Sequence, residues 1–185
     1  MIRFAKCLFN KDIFRQKSNS TYEISILSIS CAILVISQLS IAFLPNVELV
    51  TLLIIIYSLN FKRKALYVIY AFILIEGIIF GFSLWWFAYL YIWLILFYLT
   101  YIFKEINHPL FWALMAAAFG MMFGTFSSIP YLLIGGFNAA FAYIIAGLPF
   151  DFIHCFSNFV IVLFLFKPLN SICSKINICN FKKLD

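Results

Sequence analysis

In the stretch GLPFDFIHCFSNF, residues 147–159, an aspartate, a histidine and an asparagine stand among phenylalanines. Asp151, His154 and Asn158 are three and then four residues apart, so a helix carries all of them on one face. Together they offer a carboxylate acceptor, a ring that exchanges protons near neutrality, and an amide that both donates and accepts. Such a set can bind a polar or cationic ligand, carry a proton, or lock two helices together. Two more acids, Glu48 and Glu76, fall at the ends of other apolar segments. An ionisable group at the centre of a bilayer costs at least about 2.5–3.5 kcal/mol, so it usually faces a cavity or a partner. For Glu48 the plain alternative is an interfacial carboxylate in contact with water. For Asp151 and His154 it is a structural pair between helices.

Aromatic residues sit close to these acids. In FSLWWFAYLYIW, residues 82–93, Trp86, Tyr89 and Trp93 recur at helical spacing with Trp85 adjacent. An interfacial aromatic belt accounts for Trp85 and Trp86, but Trp93 lies about two turns deeper. Ring faces beside carboxylates suit a flat, cationic or hydrogen-bonding heterocycle. Tyr131 and Asn138, in a later apolar stretch, are placed to close over it. Glu48, Glu76, Trp86, Tyr89, Trp93, Asn138, Asp151, His154 and Asn158 are therefore the expected substrate-binding residues.

Positioning these groups is a task for membrane helices. Of 185 residues 65% are apolar and 11% charged, with a mean hydropathy of +1.06. A soluble domain carries about a quarter charged residues, so this chain reads as an all-α integral membrane protein. Apolar segments cover roughly 22–44, 47–60, 65–82, 84–103, 109–129 and 149–168, separated by breaks such as Leu44-Pro45-Asn46 and Ile129-Pro130. With six transmembrane helices, all 13 Lys and Arg residues fall on one side. The positive-inside rule makes that side the cytosol, with both termini there. Counting 131–147 as a seventh span would export Lys167, Lys175, Lys182 and Lys183. Residues 130–148 are therefore expected to form a long outer loop with a short re-entrant helix, bent at Gly135, Gly136 and Gly147. Residues 1–21 form a basic amphipathic tail rather than a cleavable signal, 22–168 the membrane domain, and 169–185 a cytosolic tail. The second segment is short and must be shielded by its neighbours.

Small residues in GIIFG (77–81), AAAFGMMFG (116–124) and Ser28-Ile-Ser-Cys-Ala32 mark close helix contacts. Five cysteines, an odd number lying in spans or cytosolic segments, read as reduced thiols rather than a disulfide framework or a zinc site. The sequence has no HExxH helix, GxSxG elbow or phosphate-binding GxxxxGK[ST] loop, and no nucleophile–base arrangement. An enzyme is not indicated, and no nucleic-acid partner is expected. Nothing here binds a nucleotide, so any transport is passive or borrows its energy.

The runs LPNVELVTLLIIIYSL, EGIIFGFSLWWFAYLYIW and GGFNAAFAYIIAGLPFDFIHCFSNFVIVLFLFKPL resemble a substrate-binding S component of an energy-coupling factor (ECF) transporter, over about residues 22–168. The resemblance implies a multi-pass subunit of a bacterial plasma membrane that binds a vitamin or similar micronutrient at its outer end. It also implies a transmembrane coupling subunit and two cytosolic ABC-type ATPases, which hydrolyse the ATP; the chain itself needs no cofactor. The family's docking surface is an AxxxA pattern on the first helix, approximated here by Ser28 and Ala32. On the residues, a cationic heteroaromatic ligand such as a thiamine-like base is favoured over an uncharged pterin or pyrimidine. A carboxylate-bearing vitamin fits badly without an outer Lys or Arg. Two alternatives are a small proton-coupled transporter using Glu76 or Asp151, and an accessory membrane protein held by an Asp-His lock.

Overall fold

The computed structural model describes the backbone of residues 11–177 and the side chains of residues 21–176. Its elements are all helical: α1 (Lys11–Ile41), α2 (Val50–Phe61), α3 (Ala65–Phe80), α4 (Leu84–Ile102), α5 (Pro109–Met121), α6 (Phe123–Ser127) and α7 (Ile129–Asn177). A 3-10 turn, Lys62–Lys64, joins α2 to α3. Within these helices three stretches are long and apolar enough to cross a membrane: Thr21–Ile41, Leu84–Ile102 and Ile129–Ile176. The first helix reaches back to Lys11, into the segment read as a tail, and α7 continues nine residues past the expected end at 168, to Asn177. The remaining tail residues lie outside the described part.

Cross-contacts fix the helix directions. Glu48, just before α2, meets His154, and Asn60 at the end of α2 meets Asn170, so α2 and this part of α7 run parallel. Trp112 near the start of α5 stacks on Phe166, while Gly124 in α6 bonds Asp151, so α5 and α6 run the opposite way. Bonds from Trp86 to Ile73 and from Tyr70 to Leu90 set α3 and α4 antiparallel. Lys64 reaches Glu23 in α1 at 2.6 Å. The bundle thus has one end built from residues near 41–49, 76–89 and 121–154. Its other end gathers Glu23, 60–64, 102–112 and 166–177.

The burial pattern, with apolar side chains outside and polar ones inside, is compatible with a membrane protein. Leu133 is 81% and Phe43 78% exposed, whereas Glu76, Asp151, His154 and Asn158 are each at most 5% exposed. α2 sits in the middle, with every residue but Leu59 buried, which is how a 12-residue helix, about 18 Å long, is shielded. Around it the core is closed by large side chains such as Phe72, Trp112 and Phe166.

Small residues set the closest approach. A Cβ on Gly120 would lie 3.0 Å from the carbonyl of His154, and one on Gly124 would collide with the Asp151 carboxylate. AAAFGMMFG therefore seats α5 and α6 on α7, and Gly77 likewise leaves room for the rings of Phe82 and Trp86.

The segment 130–148 departs from expectation. It is not a loop but a helical hairpin. Gly136 breaks the helix with φ 71° and ψ −171°, a backbone state that favours glycine. The rings of Tyr131 and Tyr143 stack at 4.3 Å across this bend. Twelve residues along a straight helix would hold them about 18 Å apart, so the two arms fold back on each other. The bend is at one of the glycines that suggested it. The second arm, however, runs on past Gly147 and Pro149 as one helix with the sixth apolar segment, because alanines at 139, 140, 142 and 146 favour helix and Pro149 does not end it.

Candidate functional site

A cavity of about 380 Å³ opens at the end of the bundle that holds Glu48 and His154. One wall is the end of α1 with its connection to α2, from Gln38 to Glu48; the others are Glu76 and Phe80 of α3, Trp85, Tyr89 and Trp93 of α4, Phe123 of α6 and His154 of α7. That volume is in the range of small-molecule sites, which are mostly apolar with a few placed polar groups.

Glu48 is held before any ligand arrives. Its carboxylate accepts from the Thr51 backbone N–H at 2.9 Å and from the Thr51 hydroxyl, completing the start of α2. The same carboxylate lies 3.0 Å from Nε2 of His154, a hydrogen bond that becomes an ion pair when the imidazole is protonated. Beside it, Ser157 Oγ donates to the Asn46 carbonyl at 2.9 Å. The α1–α2 connection is therefore tied to α7 at two points, and His154 stands edge-on to the Phe123 ring at 4.9 Å.

Glu76 differs. It is 2% exposed, and among the described residues its Oε1 has no hydrogen-bond partner; nor has Nε1 of Trp93, another cavity residue. A buried polar atom without a partner costs roughly 1–3 kcal/mol. The cavity wall therefore holds a buried acceptor and a buried donor that have no partner among the described residues, with Trp85, Tyr89 and Trp93 supplying ring surfaces. Tyr89 packs edge-to-face with both Trp85 and Trp93, at 5.1 and 5.4 Å.

Of the residues expected to act together, Glu48, Glu76, Tyr89, Trp93 and His154 converge on this cavity. Four do not line it. Trp86 turns away: its Nε1 donates to the Ile73 carbonyl at 2.9 Å and ties α4 to α3. Trp85 takes its place, because 85, 89 and 93 are each four residues apart and share a stripe. Asp151 and Asn158 do share the buried face of α7 with His154. Asp151, however, accepts from the Gly124 N–H at 3.0 Å with Oδ1 and leaves Oδ2 unpartnered, while neither side-chain polar atom of Asn158 has a partner. Asn138 is exposed on the hairpin. The direct partner of His154 is thus Glu48 rather than Asp151, since the imidazole reaches across to α2 while Asp151 faces α6.

Phe80, Phe123 and the 42–47 connection were missed. Leu44-Pro45-Asn46 is legible in the sequence only as a break, and nothing local reveals that it folds over a cavity. Cys31, Cys155 and Cys173 carry free thiols, and no group of three potential metal ligands occurs among the described residues. Comparison with protein-family models, with curated proteins and with solved structures gave no match.

Proposed function

We propose that this chain is the substrate-binding membrane subunit of an ECF-type importer, taking up a small heteroaromatic micronutrient through the Glu48–His154 cavity. The observation that carries the reading is that Glu76 and Trp93, which line one aromatic-walled cavity, each bury a polar atom with no partner among the described residues. A flat ring with an amino or cationic group facing Glu76 and an acceptor facing Trp93 satisfies both. Glu48, Tyr89 and His154 complete the contact surface, with Asp151 and Asn158 supporting α7 behind it. Six membrane passes are consistent with helices that alternate between the two ends, as α1, α2, α3, α4, α5–α6 and the long arm of α7 do. Every described Lys and Arg side chain lies at the end opposite the cavity, which under the positive-inside rule is the cytosolic one. Ser28 and Ala32 are both exposed on α1, as a face docking a coupling subunit requires. In this reading two ATPases supply the energy that the chain cannot.

Gentle detergent purification of the tagged chain from its native membrane tests this, with mass spectrometry of proteins and small molecules. A coupling subunit, two ABC-type ATPases and a bound heterocycle are expected. Recovery of the chain alone, free of any heterocycle, overturns the reading in favour of the helix-lock or proton-coupled alternatives.

A further inference from the structure

The opposite end of the bundle holds a second cavity, of about 600 Å³, between the α4–α5 connection and the last part of α7. Its polar lining is Asn107, His108, Lys167, Asn170, Ser171 and Ser174. Among the described residues no carboxylate lines it; Glu105, in the same connection, is exposed beside Lys104. Asn170 is oriented by a specific contact. Its Oδ1 accepts from Asn60 Nδ2 at 2.7 Å, so the amide NH₂ is the end left to donate. A lysine ammonium, an asparagine NH₂ and a histidine ring N–H, with no acid among them, form an anion-binding set.

We propose that this cavity binds a phosphate group, with Lys167 supplying the charge and Asn170 and His108 the hydrogen bonds. The phosphate belongs to an anionic phospholipid. Phe164 lies three residues before Lys167 and seven before Ser171, on the same stripe of α7, and it is 70% exposed. A headgroup held at Lys167 therefore has an apolar surface beside it for its acyl chain. Juxtamembrane basic residues attract anionic lipids by about 1 kcal/mol each, and the buried Phe166 and half-buried Pro109 complete the cavity lining. The site is independent of the cavity at the other end and does not rest on the proposed uptake role.

The test uses the full chain in detergent, with native mass spectrometry after addition of phosphatidylglycerol or phosphatidylcholine. Retention of phosphatidylglycerol is expected to exceed that of phosphatidylcholine, and Lys167→Gln to reduce it about fivefold. Lys175→Gln removes the same charge two turns further on, outside the cavity lining, and should leave retention unchanged. Both variants alter exposed residues, so folding is preserved. Equal losses in the two variants, or none in Lys167→Gln, would overturn the site. Inorganic phosphate, added as a competitor, separates the sources: retention that resists it assigns the lipid. Displacement that depends on Lys167 overturns the lipid in favour of a soluble phosphate compound.

Discussion

Glu48 and Glu76 both line one cavity, yet their surroundings assign them different work. Glu48 is consumed by Thr51 and His154, so it shapes the site and fastens the α1–α2 connection. Glu76 also lines the cavity, and its buried Oε1 has no hydrogen-bond partner among the described residues. Losing a charged hydrogen bond costs about 1.5–3 kcal/mol, which is roughly tenfold to a hundredfold in affinity. Glu76→Gln should weaken binding of a cationic heterocycle by that factor. Trp85 and Trp93 report it directly, through quenching of their fluorescence in a titration with thiamine, pyrimidine and pterin probes. An unchanged dissociation constant for the ligand that binds the wild type would remove Glu76 from the site. Asp151 was legible as a misplaced acid, but its partner was not. The Gly124 N–H it accepts from is 27 residues away and carries no side-chain signature.

At the scale of elements, glycine positions decide how closely α5, α6 and α7 approach. Gly124→Ala drives a methyl into the Asp151 carboxylate, and overpacking of this kind costs about 1–3 kcal/mol. Thermal unfolding in detergent should show a lowered midpoint. Gly147→Ala is the contrast. Nothing lies within 4 Å of the added methyl, the position is helical, and replacing glycine there should stabilise by about 0.4–1 kcal/mol. Equal shifts in the two variants would refute the packing account. The sequence pattern AAAFGMMFG announces a close contact but not its partner. Gly136 similarly announces a bend, yet only the stacking of Tyr131 on Tyr143 reveals that the bend closes a hairpin.

Taken whole, the molecule is polarised. Glu48, Glu76, Asp151 and His154 occupy one end, whereas Lys62, Arg63, Lys64, Lys104, Lys167 and Lys175 occupy the other. Cysteine scanning in a background without the native cysteines reads the orientation. Ser83→Cys, at the exposed α3–α4 turn beside the cavity end, should react with an impermeant thiol reagent on intact cells. Lys104→Cys, at the far end of α4, should react only after permeabilisation. Labelling of both from one side would reject the six-pass arrangement.

The sequence by itself determined the helical class, the apolar segments and most of their limits, and the isolation of a few acids from the lysines. Those properties follow from composition and from local periodicity, which are written along the chain. It also marked Tyr89, Trp93 and His154 as residues on organised faces. Only the tertiary structure decided that His154 meets Glu48, that Trp85 rather than Trp86 faces the cavity, and that the expected outer loop is a helical hairpin. The reason is physical: which face of a helix turns inward, and which distant backbone N–H a carboxylate finds, depends on packing between segments far apart in the chain.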